Sequence, residues 1–193
     1  AAFQPPVPLS YTSQPHWSGN PWGVTTSTGT RFVDLNGDGR PDLVQGWYKD
    51  GVVSRKAWLN NGGNCSTAMC AWTPADAFAP PAYEILPYFN GRDKATPAGW
   101  DGGLLLADIN GDGKPDLLQG WSPYAATYRG AWLNNGGGCA SVGCGWTWSE
   151  VFRTPANFSG RDASAPSGWD AGLRIADVNG DGRPDLVQSW DNG

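Results

Sequence analysis

The sequence predicts an all-β protein made of propeller-like blades, each with three to four antiparallel strands. A phrase of the form D-x-N-G-D-G-[RK]-P-D-L occurs three times, beginning at Asp34, Asp108 and Asp177, so the copies are almost evenly spaced. The segments beside these phrases, such as LVQGWY and GLLLADI, are rich in residues that favour strands. No stretch sustains the period of a helix. The pattern therefore predicts a repeat protein with one hairpin at each phrase.

Composition excludes several classes of protein. The chain has 193 residues, enough for one domain, and its 28 glycines, 16 prolines and 12 tryptophans are unlike a helical protein. It has no run of eighteen apolar residues, so we expect no membrane insertion. The formal net charge of −5, with scattered basic residues, argues against nucleic acid as a partner.

Each repeated phrase has the pattern of a calcium-binding loop. Calcium takes six to eight oxygen ligands, and side chains at positions 1, 3, 5 and 9 with the carbonyl of position 7 can supply them. Turns of Asp, Asn and Gly without metal are the alternative, but three copies with the same oxygen pattern favour calcium. Nine of the eighteen acidic residues lie in these loops, so three divalent ions would change the formal charge from −5 to about +1. The predicted ligands of the three sites are Asp34, Asn36, Asp38, Arg40 (carbonyl) and Asp42; Asp108, Asn110, Asp112, Lys114 (carbonyl) and Asp116; and Asp177, Asn179, Asp181, Arg183 (carbonyl) and Asp185.

The EF-hand does not fit this pattern. Its loop ends in a bidentate glutamate at position 12, where this chain has Gln45, Gln119 and Gln188. Position 8 is proline in every copy, and the flanking segments are strand-like. We therefore expect each calcium loop to close a β-hairpin.

Two longer matches define the repeat unit. Residues 57–78 match 131–152, and residues 89–121 match 158–190, with identical amino acids at most positions of the second pair. The predicted organisation is an atypical N-terminal segment, 1–24, which could exchange a strand or act as a cap; repeat 1, 25–88; repeat 2, 89–157; and a partial repeat 3, 158–193. Propellers close with about four to eight blades, so we expect an incomplete or open propeller.

The four cysteines form two C-x4-C pairs at equivalent repeat positions, Cys65 with Cys70 and Cys139 with Cys144. Free thiols or one shared zinc site are the alternatives, but zinc sites usually have tighter spacing. We expect two local disulfides, which persist outside the cytosol. An extracellular location also supplies the calcium that the loops would use.

Other motifs carry weaker signals. Asn157 and Asn64 begin Asn-x-Ser sequons and are candidate glycosylation sites. Tryptophans at fixed repeat positions usually pack between units, whereas Trp100 and Trp169, in the loop phrase GWD, are the candidate sugar contacts. The phrases NGRD and SGRD, which contain Arg92 and Arg161, are interpreted as surface turns with local ion pairs.

These residues resemble the FG-GAP/VCBS repeat family. The resemblance rests on D-x-N-G-D-G-x-x-D-L, the strand that follows it and the later LNNG, and it covers most of residues 25–193. It implies β-propeller blades with calcium in their hairpin loops, as in integrin α-subunit heads and propeller lectins. The paired cysteines and the N-terminal stretch depart from the family pattern.

The expected function is non-catalytic. The only histidine is His16, no nucleophile–base pair recurs, and nothing brings together non-loop carboxylates such as Glu84 and Asp101. We expect an extracellular, calcium-stabilised structural or adhesive module, whose partners are copies of itself, in a filament or ring, or further propeller repeats. The alternative is a carbohydrate-binding propeller lectin with glycans as partners; an enzyme acting on polysaccharides is less favoured.

Overall fold

The computed structural model describes residues 29–63, 66–67, 69–82, 88–96, 99–124, 126–165 and 168–189. Within these ranges the protein is all-β, and its one helical element is a 3-10 turn at Asp76–Phe78. The all-β prediction is therefore confirmed. The strands form several antiparallel ladders in three sheets, none of which closes on itself within the described ranges.

The first sheet is an antiparallel meander with a short extension. Its strands, in chain order, are β1 (Thr30–Val33), β2 (Asp42–Lys49), β3 (Val52–Asn60), β4 (Trp72–Pro74), β5 (Asn90–Arg92) and β6 (Trp100–Asp101). Each of β1, β2 and β3 pairs with the next strand in antiparallel sense. Strand β5 runs parallel to the second half of β2 and pairs with β6. Strands β1 and β5 therefore share one edge of β2.

The second sheet repeats this arrangement. It contains β7 (Leu104–Ala107), β8 (Asp116–Pro123), β9 (Tyr128–Asn134), β10 (Trp146–Trp148), β11 (Ser159–Arg161) and β12 (Trp169–Asp170). The antiparallel order is β7-β8-β9-β10, and β11 runs parallel to β8. The third sheet is the hairpin of β13 (Leu173–Ala176) and β14 (Asp185–Gln188). Three structural units follow from these sheets. Unit 1 consists of β1–β4 with its loops through residue 82, and unit 2 consists of β7–β10 with its loops through residue 156. Unit 3 is the hairpin β13–β14.

The hairpins begin and end where the sequence dictates. Proline precedes β2, β8 and β14, and it ends each loop because it cannot donate a ladder hydrogen bond. Strands β2 and β3 are joined by Asp50 and Gly51, which have positive φ angles of 48° and 91°. Such two-residue turns match the right-handed twist of a hairpin.

The main core lies between the sheets of units 1 and 2. Val44 and Phe78 of unit 1, and Phe89 directly before β5, pack with Leu117 and Trp132 of unit 2; all five are nearly inaccessible to solvent. A second apolar cluster joins unit 2 to unit 3 through Leu118, Phe158 and Leu173. The units therefore stack on one another, each burying a face of its neighbour.

A glycine before the first strand of each unit cannot be replaced without a collision. Gly103 has a φ of +63°, and a Cβ there would lie 2.4 Å from the carbonyl oxygen of Gly120. We expect Gly103→Ala to lower the free energy of unfolding by about 2 kcal/mol or more, since strain and overlap add. The measurement is chemical denaturation.

The matched control is Gly136→Ala. Gly136 has a φ of +87°, but a Cβ there would meet nothing within 4 Å. This substitution should therefore cost only the backbone strain, about 1 kcal/mol. Equal losses in the two variants would contradict the predicted contact with the β8 backbone.

Candidate metal-binding loops

All three repeated loops wind around the carboxylate at position 1. Asp34 Oδ1 accepts hydrogen bonds from the backbone N–H groups of Gly37, at 2.8 Å, and Asp38, at 3.0 Å, while Oδ2 accepts one from Gly39 at 2.7 Å. Asp108 and Asp177 make the same three bonds in their loops. The loop conformation is thus a property of the repeated phrase.

The oxygens at positions 1 and 3 converge on one point. The backbone N–H of Asp38 lies 3.0 Å from Asp34 Oδ1 and 3.1 Å from Asn36 Oδ1. The second and third loops repeat this convergence. Gly37 and Gly39 have φ angles of 77° and 81°, which glycine adopts without steric cost. In every loop, two of the predicted ligand oxygens therefore accept from the same backbone N–H group.

The aspartate at position 9 of the loop has a structural role that the calcium-loop pattern does not predict. Asp42 is fully buried; its Oδ2 accepts a hydrogen bond from the N–H of Leu35, and its Oδ1 accepts one from the N–H of Asn60, both at 2.8 Å. Asp116 makes the equivalent bonds to Ile109 and Asn134. This carboxylate therefore fastens the loop to the end of the third strand. The repeated LNNG phrase could have indicated this contact, because its first asparagine supplies the N–H group that the aspartate accepts.

Burial raises the pKa of the Asp42 and Asp116 carboxyl groups. The backbone hydrogen bonds oppose this rise, and the two other aspartates of each loop add to it. A raised pKa means that the folded protein favours the protonated acid, so the contribution of these groups to stability declines as pH rises through their titration range. A divalent cation in the loop would offset the crowded negative charge.

The donor set fits a hard cation. Each loop offers oxygen atoms alone, from three aspartates, one asparagine and a carbonyl, which are the ligands that calcium prefers. Within the described residues no cluster of three or more His, Cys, Asp or Glu side chains is assembled around a metal position. Binding would therefore require the side chains of each loop to rearrange around the ion. The calcium ligands stay a prediction.

The disulfide loop of unit 2 lies against unit 1. Cys139 and Cys144 form the disulfide that their spacing predicts. On either side of Cys144, the N–H groups of Gly143 and Gly145 donate to the carbonyls of Asp76 and Ala77 at 2.9 and 2.8 Å. Cys70 is also disulfide-bonded, and Cys65 lies outside the described residues. The loop therefore joins two units.

The second Gly-Arg-Asp phrase does not form the surface turn with a local ion pair that the sequence predicts. The Arg161 guanidinium lies over the Trp100 ring, 3.4 Å from its centroid, and 3.9 Å from Asp93 Oδ2 of the preceding phrase. Arg161 is largely buried, with an exposed side-chain fraction of 11%. Stacking on an indole stabilises a guanidinium that has lost its water. This arginine therefore joins successive repeats.

The two candidate sugar contacts lie in different surroundings. Trp100 is buried beneath Arg161 and is 4% exposed. Trp169 is half-buried and lines an open cleft of about 600 Å³ with Asp101, Asp170 and Arg174. Of the two, Trp169 has ring surface facing a space that a ligand could enter.

Of the two candidate glycosylation sites, the structure describes one. Asn157 is partly buried, and its Oδ1 accepts a hydrogen bond from Arg129 Nε at 3.3 Å. Asn64, Glu84 and His16 lie outside the described residues. Most of the recurrent tryptophans pack inside the protein as expected: Trp58, Trp72, Trp121, Trp132 and Trp146 are all buried.

No model of a known protein family matches the chain, and no curated protein matches it significantly. Among the described residues, no helix is long and apolar enough to span a membrane.

Proposed function

We propose that this chain is an extracellular, calcium-stabilised structural or adhesive module of the FG-GAP/VCBS type, whose propeller-like blades stack on further like units. Those units are copies of the chain or further repeats. The observation that supports the proposal is a contrast in burial between equivalent residues of the repeats.

The contact between units 1 and 2 defines how one unit packs on another. Asn134 Nδ2 donates a buried hydrogen bond of 2.9 Å to the carbonyl of Leu35, inside the first calcium-type loop. Trp146 Nε1 donates one of 3.1 Å to the carbonyl of Ala79. Together with the apolar core, these bonds make the contact directional as well as hydrophobic.

The equivalent surfaces further along the chain are exposed. Leu43 and Val44 of β2 are 1% and 0% exposed, whereas Leu186 and Val187, at the same positions of β14, are 38% and 44% exposed. Val151 of unit 2 is 88% exposed, whereas its counterpart Ala77 is 8% exposed. Apolar residues that are exposed at positions buried elsewhere between units indicate interaction surfaces. These exposed residues are aliphatic, and the contact between units 1 and 2 is likewise apolar.

The chemistry of the chain supports the remaining parts of the proposal. A disulfide is compatible with an oxidising compartment outside the cytosol. Calcium in the three loops would fix the hairpins that carry the inter-unit contacts. Because Leu35 belongs both to such a loop and to the interface, calcium would stabilise the stacking as well as the unit.

The test is the state of assembly with calcium and with excess chelator. We expect light scattering and negative-stain images to show rings or filaments in calcium. Val187→Lys should abolish them, since it places a charge in the proposed contact. Val52→Lys is the matched control, because Val52 is an exposed valine (60%) at the β2–β3 turn. A compact monomer under both conditions would refute the assembly proposal.

A second candidate function, carbohydrate binding, is favoured by one observation. The cleft beside Trp169 combines a half-buried indole with the carboxylates of Asp101 and Asp170, and such sites combine apolar walls with a few polar groups. A glycan array in calcium should show binding that Trp169→Ala removes. Trp148→Ala is the control, since Trp148 lies outside the cleft. The absence of any bound glycan would count against this candidate.

A further inference from the structure

The cleft beside Trp169 lies between the first strands of units 2 and 3. Residues 105–106 of β7 and residues 173–175 of β13 line it, together with Phe158 and Asp170. Its volume of about 600 Å³ is in the range of small-molecule binding sites. The cleft therefore has the size of a ligand site, and its walls are partly apolar and partly charged.

The repeat provides an internal comparison for this cleft. Three of its lining residues have counterparts one repeat earlier in the chain: Leu105 corresponds to Arg31, Phe158 to Phe89, and Asp170 to Asp101. The phenylalanine and the aspartate are the same in both repeats, whereas the arginine is replaced by leucine. The contact between units 1 and 2 therefore shows what group this pair of residues can accommodate.

Between units 1 and 2, the group is a guanidinium. Arg31 Cζ lies 4.8 Å from the centroid of the Phe89 ring, and a cation within about 6 Å of a ring centroid is attracted by the ring. Burial lowers the pKa of Arg31, and the charge of Asp101 opposes this change. An aromatic ring and a carboxylate thus compensate a partly buried cation.

Between units 2 and 3, this cation is missing. Leu105 packs against the apolar cluster of Phe158 and Leu173. A leucine side chain ends where an arginine side chain continues to its guanidinium group. Because Leu105, Phe158 and Asp170 all line the cleft, the place that corresponds to the Arg31 guanidinium faces open space.

The charges of the cleft favour a cation. Asp101 and Asp170 both line it, and their negative charges interact. Arg174 Nη1 donates to Asp170 Oδ1 at 2.9 Å, and the Arg174 side chain is 63% exposed. Asp101 Oδ1 accepts from the N–H of Gly103 at 2.7 Å, and Arg31 of unit 1 also acts on this carboxylate. The described lining thus contains two carboxylates and one guanidinium.

We propose that the cleft beside Trp169 binds the guanidinium group of a small organic ligand, in the place that Arg31 fills between units 1 and 2. The guanidinium lies against Phe158, Asp101 and Asp170 compensate its charge, and the Trp169 indole covers the aliphatic part of the ligand. The ligand class is a guanidinium on an aliphatic chain, with arginine as the simplest biological example. The inference goes beyond the proposed module function and needs neither calcium nor assembly.

The experiment uses two probes of the same shape and the full chain. Nα-acetyl-argininamide carries the guanidinium, and Nα-acetyl-citrullinamide replaces it with a neutral urea group. Isothermal titration calorimetry measures both affinities, and the indole N–H signal of Trp169 in NMR spectra, assigned with Trp169→Ala, reports the location. We expect the arginine derivative to shift this signal and to bind about tenfold or more tightly than the citrulline derivative.

Leu105→Arg tests the comparison between repeats. It should remove binding, because the new side chain supplies its own guanidinium to the cleft, and it should leave the melting temperature nearly unchanged. Val151→Arg is the matched control, since it adds the same charge at a side chain that is 88% exposed and outside the cleft. Asp101→Asn keeps an oxygen for the N–H of Gly103 but should weaken binding about tenfold through the lost charge.

Three outcomes would overturn the proposal: no binding of the arginine derivative, equal binding of the two probes, or unchanged binding by a folded Leu105→Arg variant. Should Leu105→Arg fail to fold, an unchanged affinity in Asp101→Asn still overturns it. Binding of the arginine derivative by a chain that neither assembles nor binds glycans would support this proposal and contradict the proposed function, so the two fail separately.

Discussion

Excess chelator is expected to lower the melting temperature of this protein steeply. A ligand that binds only the folded state stabilises it by about 2.7 kcal/mol at one hundred times its Kd, and the chain has three predicted sites. The effect is reinforced because Asp42 and Asp116 are fully buried beside further aspartates of their loops. The measurement is thermal unfolding with calcium and with chelator.

A pair of variants tests whether the loops are responsible for this effect. Asp112→Asn keeps an oxygen for the N–H of Lys114, which Asp112 Oδ1 accepts at 2.9 Å, but it removes a charge that would bind calcium. It should lower the melting temperature in calcium and reduce the difference between the melting temperatures measured with calcium and with chelator. Asp50→Asn, in the exposed β2–β3 turn, should do neither. An unchanged melting temperature in excess chelator would contradict the metal assignment.

Trp132→Ala is expected to produce the largest loss among core substitutions. Trp132 is 1% exposed, lies between units 1 and 2, and packs edge to face against Trp148 with ring centroids 5.1 Å apart. Removal of such a side chain costs about 3–5 kcal/mol, a large share of the stability of a typical domain. Chemical denaturation measures the loss.

The control for this substitution is Trp169→Ala. Trp169 is only half-buried beside an open cleft, so its removal leaves little void and should cost much less. Comparable losses in the two variants would show that the contact between units 1 and 2 is not the main source of stability.

The hairpins are predictable because their signals are local. Asp, Asn, Gly and Pro at fixed offsets specify the turn, and the alternating residues beside them specify the strands. The three predicted hairpins accordingly appear as β1–β2, β7–β8 and β13–β14. In the same way, the C-x4-C spacing places Cys139 beside Cys144.

The contacts between repeats cannot be predicted in the same way. Arg161 stacks on Trp100, and Asn134 bonds to Leu35, although each pair is far apart along the chain. No local pattern names such a partner, so the sequence predicts a surface turn at the Gly-Arg-Asp phrase. The parallel pairing of β5 with β2 escapes prediction for the same reason, because it depends on where the linker returns.

The bond from Asn134 to the carbonyl of Leu35 also has a mechanical meaning. It fastens the second unit to the interior of a loop, not to a free edge. A force that pulled units 1 and 2 apart would therefore act on the loop backbone as well as on the apolar core. The compliance of the whole chain would then depend on how firmly these short aspartate-rich loops hold their shape.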